Sequence, residues 1–147
     1  MRLFIATPVI LKNYDEIKTK LSFIKGKWVK EENLHITHKF IGDDNPDKYK
    51  IKLNIPNEMI EIKGFGIFDN KILYLKANSP NINLIAKQLN VKNFIPHITI
   101  CRLKEFDENI FKVLKNIDFY TKIPFEVYLY SSILTKNAPI YKKIYKY

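Results

Sequence analysis

An α+β fold, with antiparallel sheets covered by helices, is predicted by three features of the sequence. The chain contains about seven or eight short apolar runs typical of strands and three segments with helical spacing of apolar residues. Two of the strand runs, residues 58–68 and 72–77, are separated by a loop of hairpin length. A strand, a helix and a strand that opens with His-Ile-Thr occur twice, in residues 1–41 and 72–103. This repeat predicts a duplicated unit with pseudo-twofold symmetry that brings the two His-Ile-Thr strands together.

The first half of the chain begins with a strand and a helix. Residues 1–10 form an apolar, β-branched run that Pro8 ends, which is typical of a buried strand. Apolar residues then recur at helical spacing over residues 11–24, which predicts an amphipathic helix. A second strand is predicted for residues 34–41. Residues 48–57, which contain Pro and several Asn, allow at most a short helix or an edge strand.

The second half of the chain alternates strands with two further helices. Ser79 and Pro80 are typical of a helix start, and the apolar stripe that follows predicts a helix up to Leu89. Asp107 is a candidate N-cap for a third helix, whose apolar face extends to Ile117. The remaining strands are predicted at residues 97–103, 125–134 and 140–147. No linker interrupts the chain, so we expect a single domain over residues 1–147.

The composition indicates a folded, basic protein. With 147 residues and 46% hydrophobic residues, the chain has enough apolar material to exclude intrinsic disorder. Its 25 Lys and Arg residues against 15 Asp and Glu residues give a formal net charge of +10. This surplus favours a polyanionic partner such as RNA. A compositional bias of the genome or a thermophilic surface is the alternative explanation.

No segment of the sequence predicts a membrane span or a secretory signal. The longest mainly apolar stretch, Leu3 to Leu11, is interrupted by Thr7 and Pro8, and a span needs about 20 residues. The single cysteine, Cys101, excludes an intrachain disulfide and a metal site made only of thiolates. These features predict a cytoplasmic protein.

All three histidines of the sequence lie on the two repeated strands. Because side chains alternate between the faces of a strand, His35 shares a face with Thr37, and His97 shares a face with Thr99. The next residues of these two rows are Lys39 and Cys101. Both rows are too polar for ordinary core, whereas the opposite rows are too apolar for surface loops. The pattern therefore predicts a cleft between the strands, although His-x-Thr also occurs with purely structural histidines.

Two facing imidazoles suit a reaction that needs one general base and one general acid near neutral pH. Two Thr hydroxyls beside them can donate hydrogen bonds to phosphoryl oxygens. A cyclic phosphodiester fits such a cleft, because a neutral His can deprotonate water while a protonated His gives its proton to the leaving ribose oxygen. This chemistry requires no metal and no cofactor.

A more specific signal lies in the residues that flank the histidines. The segments NLHITHKFIG (residues 33–42) and FIPHITICR (residues 94–102) resemble the two His-x-Thr-x signatures of the two-histidine phosphoesterases. In particular, they resemble those of the RNA 2′,3′-cyclic phosphodiesterases formerly named 2′-5′ RNA ligases. The resemblance extends to the strand at residues 2–6 and to the pair at residues 65–68 and 73–75, so it covers nearly the whole chain.

Membership of this family implies two pseudo-symmetric lobes, each an antiparallel sheet flanked by helices, around a central groove. It implies that His35 donates a proton and His97 accepts one, while Thr37 and Thr99 hold the phosphate oxygens. The implied reaction opens a 2′,3′-cyclic phosphate at an RNA end to a 2′-phosphomonoester, with 2′-5′ ligation as a possible reverse reaction. The implied partners are RNA ends or oligoribonucleotides, and no obligate protein partner is implied.

Three further residues are candidates for substrate contacts. Arg102 matches an arginine that often follows the second signature, but strict alternation points it away from His97 unless the strand is bulged. A structural salt bridge is the alternative for Arg102. Lys39 shares the predicted face of His35 and is a candidate for phosphate binding or for simple solvent exposure. Phe4 is a candidate stacking surface for a base, with packing in the protein as the alternative.

His38 departs from the resemblance, because this position is usually aliphatic in the family. Strand alternation places His38 behind the cleft, which predicts a structural role. A metal site made of all three histidines would need His35 and His38 on one face, which a strand does not provide. Two other functions remain open from the sequence: a basic RNA-binding module without useful turnover, and a phosphodiesterase of a small cyclic nucleotide.

Overall fold

Nine strands form two antiparallel sheets in the computed structural model, which describes residues 1–147. In spatial order, the first sheet consists of β3 (His35–Asp43), β1 (Arg2–Pro8), β8 (Tyr128–Ile133) and β9 (Ile140–Lys146). The second sheet consists of β2 (Gly26–Trp28), β6 (His97–Leu103), β5 (Ile72–Asn78), β4 (Met59–Phe68) and β7 (Tyr120–Pro124). The helices are α1 (Tyr14–Lys20), α2 (Leu84–Gln88) and α3 (Asn109–Lys115), with two 3₁₀ turns at Glu31–Asn33 and Pro46–Tyr49. The predicted α+β class is confirmed.

The duplication expected from the sequence is visible in the topology. β1 pairs antiparallel with β3, and α1 lies between them in the chain. β5 pairs antiparallel with β6 in the same way, and α2 lies between those two strands. The two His-Ile-Thr segments open β3 and β6, which belong to different sheets and contact each other. The repeat therefore produces two lobes whose signature strands meet.

One apolar core of 25 buried residues joins the two sheets and their helices. Ile5 and Ile36 of the first sheet are completely buried in it, as are Leu73 and Ile98 of the second sheet. Ile17 of α1 is buried in the same core. Burying one such aliphatic side chain stabilises a protein by roughly 1.5–3 kcal/mol. The shared core consequently fixes the position of one lobe against the other.

The structure differs from the sequence predictions mainly at element boundaries. α1 is shorter than the predicted helix over residues 11–24. Leu11 and Leu21 lie outside it in the flanking segments, but both are fully buried, so the apolar spacing extends beyond the helix itself. β2 and β7 were not predicted, and both are short edge strands of the second sheet. Residues 50–56 form neither helix nor strand. None of the helices has the length and apolar composition needed to cross a lipid bilayer.

A β-bulge in β6 changes which residues face the groove. Consecutive residues of β5 lie opposite Thr99 and Cys101, so Ile100 is an extra residue in the ladder. Ile100 and Cys101 are both buried, and Arg102 returns to the face of Thr99. The prediction that Cys101 extends the row of His97 and Thr99 is therefore wrong.

A second bulge has the same effect in β3. Thr37 and Lys39 lie opposite consecutive residues of β1, so His38 is the extra residue. His38 is buried on the core side, and the Lys39 ammonium group donates a hydrogen bond to the Leu89 carbonyl at the end of α2. The prediction that Lys39 shares the face of His35 is wrong for this reason.

Candidate active site

A groove between β3 and β6 brings the two His-Thr pairs together. Its cavity has a volume of about 540 Å³, which is in the range of small-molecule sites. His35 and Thr37 line it from the first sheet, and His97 and Thr99 line it from the second sheet. Each pair lies on one strand two residues apart, so both members point to the same side. The site is thus divided equally between the two lobes.

Both imidazoles are held by the same backbone contact. Nδ1 of His35 donates a hydrogen bond of 2.6 Å to the carbonyl of Asn33, and Nδ1 of His97 donates one of 2.7 Å to the carbonyl of Ile95. A carbonyl oxygen only accepts, so Nδ1 carries the hydrogen in each ring. Nε2 is then the nitrogen available to a ligand, as a base in the neutral ring and as an acid in the protonated ring.

Aromatic rings pack against each histidine from the side. His35 contacts Phe4, with ring centroids 5.2 Å apart, and Tyr141, with centroids 5.3 Å apart and the planes at 88°. His97 contacts Phe68 at 5.0 Å and Tyr74 at 5.5 Å, both edge to face. These contacts restrict rotation of the two imidazoles, so each Nε2 keeps its direction.

The support of His97 depends on a glycine of β4, which is separated from β6 by β5 in the same sheet. Phe68 and Tyr74 stack on each other with ring centroids 4.2 Å apart. The Tyr74 ring lies directly over Gly66, where a Cβ atom would come within 2.3 Å of the ring. Only glycine leaves the space for Tyr74 to reach His97.

The surroundings of His35 disfavour its protonated form in the free protein. Burial lowers the pKa of His35 below its ordinary value, the hydrogen bond to the Asn33 carbonyl opposes this effect, and the charge of His97 lowers the pKa further. An anion between the two rings would favour the protonated imidazole. We therefore expect an anionic ligand to bring a proton onto His35.

Asn33 connects the first signature to the β8–β9 hairpin. Its carbonyl accepts the hydrogen bond from His35, and its side-chain amide donates one of 2.9 Å to the carbonyl of Pro139. Asn33 is buried, and both Asn33 and Pro139 line the cavity. This residue therefore holds His35 and the hairpin in one arrangement.

His38 lies outside the groove. It is 1% exposed, its Nε2 is 2.7 Å from the Thr7 hydroxyl, and its ring stacks on Phe125 with centroids 5.8 Å apart. Burial, with a smaller contribution from the charge of His35, lowers the pKa of His38 to about 4. His38 therefore does not join His35 and His97, and no three His, Cys, Asp or Glu side chains are grouped as metal ligands.

The three other candidate contacts have different positions. Arg102 lines the groove, as a result of the bulge in β6. Phe4 also lines the groove, but it is only 5% exposed and stacks on Tyr130 beside Tyr141. Most of its surface is therefore used for packing. Lys39 is outside the groove, bound to the carbonyl of Leu89.

The groove is strongly cationic. Four positively charged side chains line it, namely Arg2, Lys27, Lys30 and Arg102. None of them forms an ion pair, and no Asp or Glu lines the cavity. Such a lining attracts anions and repels metal cations.

Sequence reasoning did not single out several of the lining residues, among them Lys27 and Tyr141. Lys27 faces the groove because β2 pairs with β6, and a three-residue edge strand leaves too little periodicity to be recognised. Tyr141 could not be distinguished from Tyr145 and Tyr147, which follow it in the same strand pattern. Both assignments depend on tertiary contacts.

Comparison with known proteins supports the resemblance seen in the sequence. Residues 7–74 match the family model described as LigT like Phosphoesterase. A protein of Methanocaldococcus jannaschii named RNA 2′,3′-cyclic phosphodiesterase is 34% identical over 171 aligned positions, which cover 98% of each chain. A protein of the same name from Thermotoga maritima is 32% identical over 181 positions, which cover 99% of this chain and 94% of the relative.

Solved structures share the fold over its full length. TT0787 of Thermus thermophilus has a TM-score of 0.78 at 24% identity, covering 100% of this chain and 97% of its own. Escherichia coli LigT, crystallised with 3′-AMP, has a TM-score of 0.71 at 21% identity, covering 99% of this chain and 95% of its own. The family-model match and the sequence relatives, rather than the shared fold alone, show that this chain is an enzyme and belongs to the LigT-like family of two-histidine phosphoesterases.

Proposed function

We propose that this chain hydrolyses 2′,3′-cyclic phosphate ends of RNA to 2′-phosphomonoesters without a metal ion. The observation that carries the proposal is the matched pair of imidazoles in one groove, each with Nδ1 bound to a backbone carbonyl and Nε2 left for the substrate. The names of the M. jannaschii and T. maritima relatives support the substrate class. A cationic groove without carboxylates also suits an anionic ligand.

In the proposed mechanism, His97 acts as the general base and His35 as the general acid. Nε2 of His97 takes a proton from water, and the water oxygen forms a bond to phosphorus. The bond between phosphorus and the 3′ oxygen breaks, and Nε2 of His35 gives its proton to that oxygen. The products are a 2′-phosphate and a 3′ hydroxyl, and proton exchange with solvent restores both rings. The requirement for one neutral and one protonated ring predicts a bell-shaped dependence of kcat/KM on pH.

The remaining groove residues stabilise charge on the phosphate. The hydroxyls of Thr37 and Thr99 are placed two residues from the rings and donate hydrogen bonds to the two non-bridging oxygens. Arg102 supplies a positive charge on the same face as Thr99. Fixed donors of this kind are effective because they need no reorganisation as charge develops. Lys39 has no part in this scheme, since its ammonium group is bound to the Leu89 carbonyl.

The same groups also allow 2′-5′ ligation, with an RNA 5′ hydroxyl in place of water as the attacking group. The opposed histidines argue against a module that only binds RNA, because binding needs cationic and stacking groups but no pair of matched proton-transfer residues. The buried, unpaired Cys101 fits a reducing compartment, and we propose a cytoplasmic location for this activity.

The direct test is incubation with a short RNA that ends in a 2′,3′-cyclic phosphate, in the presence of a chelator. We expect a 2′-phosphate product, identified by its resistance to a 3′-specific phosphatase and by phosphorus NMR. A 3′-phosphate product would contradict the assignment of the leaving oxygen. Loss of turnover with the chelator, restored by a metal ion, would contradict metal independence.

Single-histidine variants test the assignment of the two rings. His35→Ala and His97→Ala are expected to lose cyclic phosphate hydrolysis while their circular dichroism spectra stay unchanged. The matched control is His38→Leu, which removes the third histidine from its apolar site and should keep most of the activity. Full activity in either groove variant would refute the proposal.

A further inference from the structure

A second cationic surface lies outside the groove, on the first sheet. It consists of Tyr128 on β8 and of Lys143 and Lys146 on β9, and we call these three residues the Tyr128 patch. The ammonium group of Lys143 lies 4.3 Å from the centre of the Tyr128 ring, and that of Lys146 lies 5.7 Å from it. Both lysines are exposed, and neither forms an ion pair.

A β-bulge in β9 puts the two lysines on one face of the sheet. Lys143 and Tyr145 lie opposite consecutive residues of β8, so Ile144 is an extra residue in the ladder. Ile144 and Tyr145 both pack against the apolar core, and Lys146 returns to the face of Lys143. Without the extra residue, strand alternation would place the two lysines on opposite faces.

The register of the first sheet aligns the patch with the catalytic groove. Thr37 of β3 lies opposite Ala6 of β1, and Ala6 lies opposite Tyr128 of β8. On the far side of Tyr128, Lys146 continues the same row. Neighbouring strands are about 4.8 Å apart, so the backbone of Tyr128 is about 10 Å from that of Thr37, and the backbone of Lys146 is about 14 Å from it. The patch therefore lies on the face that carries Thr37, beyond the reach of the reacting phosphate.

A continuous line of aromatic rings joins the groove to the patch. Phe4 contacts the ring of His35, with centroids 5.2 Å apart, and stacks on Tyr130, with centroids 5.1 Å apart. Tyr130 in turn contacts Tyr128, with centroids 6.0 Å apart. The surface between the catalytic histidine and the two lysines is consequently made of rings that contact one another.

The two lysines of the patch have a different environment from a third lysine of the same strand. Lysines on an edge strand often serve only to prevent pairing with another chain, and this is sufficient for Lys142, which is exposed on the opposite face of β9. Lys143 and Lys146 are instead brought together over one ring, where their like charges repel. Glu126 accepts a hydrogen bond of 3.0 Å from the Tyr128 hydroxyl but forms no ion pair with either lysine. An external anion would therefore be stabilised at this patch.

The position of the patch determines which anion it binds. The groove holds the terminal nucleotide, and the anions that lie farther along an RNA are the phosphates that precede that nucleotide. Cations and aromatic rings along one track are typical of surfaces that bind single-stranded nucleic acid. We infer that the Tyr128 patch binds the backbone of the nucleotides upstream of the cyclic phosphate, with Lys143 and Lys146 each contacting a phosphate. This inference rests on the proposed function and deepens it, because it predicts that oligoribonucleotides are preferred over small cyclic nucleotides.

The test measures binding, so that it does not depend on turnover. The ligands are unreactive RNAs that end in a 2′-phosphate, namely a mononucleotide, a dinucleotide and a hexanucleotide, compared by calorimetry at several salt concentrations. Each phosphate contact with a single strand contributes a slope of about 0.7 to the dependence of log Kd on log salt concentration, so two contacts change the affinity about 25-fold between about 1 M and about 0.1 M salt. At the lower salt concentration we therefore expect the hexanucleotide to bind about 25-fold more tightly than the mononucleotide.

Variants with equal changes of charge assign the effect to the patch. The double variant Lys143→Gln/Lys146→Gln should lose most of the advantage of the hexanucleotide, and its salt slope should fall by about 1.4. The matched control is Lys142→Gln/Lys122→Gln, which removes one charge from the opposite face of β9 and one from β7, an edge strand of the second sheet. The control should keep the advantage, and the mononucleotide should bind equally to all three proteins.

The outcomes separate this inference from the proposed function. The inference would be overturned by equal affinities for the mononucleotide and the hexanucleotide, or by a hexanucleotide that binds the double variant as tightly as the unsubstituted protein. An equal loss for all RNA lengths would place the effect in the groove, and an equal loss in the control would assign it to net charge; either result also overturns the inference. Absence of cyclic phosphate hydrolysis would defeat the proposed function, whereas the dependence of binding on RNA length decides the role of the patch by itself.

Discussion

Replacing Gly66 by alanine tests how much the aromatic support of His97 contributes to catalysis. The added Cβ would lie 2.3 Å from Cζ and Oη of Tyr74 and 2.7 Å from Cε2. Non-bonded carbon atoms settle about 3.5 Å apart or more, so the ring must move by about 1.2 Å. Tyr74 packs edge to face on His97, and this displacement removes one of the two rings that hold the imidazole.

We expect the Gly66→Ala variant to lose activity while it stays folded. Tyr74 is a side chain that can turn outward, so the free energy of unfolding should fall by only about 1–2 kcal/mol. A misplacement of about 1 Å at a reacting group costs up to about 10²-fold in rate. We therefore expect kcat for an RNA cyclic phosphate to fall by roughly 10- to 100-fold, with KM nearly unchanged because the phosphate contacts remain.

A double-mutant cycle separates this explanation from a general loss of structure. Tyr74→Ala removes the ring, so Gly66→Ala should have little further effect on kcat in that background. Urea unfolding of the unsubstituted protein, the two single variants and the double variant measures their free energies of unfolding in parallel. The reasoning is refuted if Gly66→Ala keeps the original kcat, or if its loss of kcat is equally large without Tyr74.

Three other predictions follow from the histidines and threonines. The pKa of His38 is lowered to about 4 by burial, below the ordinary value near 6.5, so the unfolded chain takes up this proton first as the pH falls. The contribution of the neutral His38 ring to the free energy of unfolding is complete above about pH 6.5, and roughly 3 kcal/mol of it is lost as the pH falls from about 6.5 to 4. Urea unfolding at several pH values should show this loss, and the loss should be smaller in His38→Leu. An identical pH dependence in both proteins would exclude His38 as its source. Proton NMR should find the pKa of His35 below its ordinary value in the free protein and higher with a bound 2′-phosphate; an unchanged pKa would show that the phosphate does not approach this ring. Thr37→Val and Thr99→Val should each lower kcat by on the order of 10²-fold with the fold intact, and an undiminished kcat would remove that hydroxyl from the mechanism.

Strand alternation was sufficient to predict the central part of the site. His35 and Thr37 face the groove as the period of two requires, and His97 and Thr99 do the same on β6. The same rule placed His38 on the other side of β3, where it is buried. The facing of His35, Thr37, His97 and Thr99 follows alternation because the first three residues of each signature precede any irregularity in the ladder, and the extra residue His38 keeps the core-side direction.

Alternation failed at the residues that follow the bulges. The extra residues His38 in β3 and Ile100 in β6 shift the facing pattern, so Lys39 and Cys101 turn away from the groove and Arg102 turns into it. A bulge depends on pairing with the neighbouring strand, and the residue types at Ile100 and His38 do not predict one. The short edge strands β2 and β7 were missed for a related reason, since their regular structure comes from a neighbour.

The order of strands in the first sheet also has a consequence for how the enzyme becomes active during synthesis. β1 lies between β3 and β8, and the carbonyl that fixes His35 belongs to Asn33, whose side chain is bound to Pro139. The amide and carbonyl of these two residues are separated by 106 positions. A nascent chain that has already emerged with both signatures still lacks β8 and β9, and therefore one edge of the sheet that carries His35. Contacts of such long sequence separation form late, so the groove is completed only after the β8–β9 hairpin has been made.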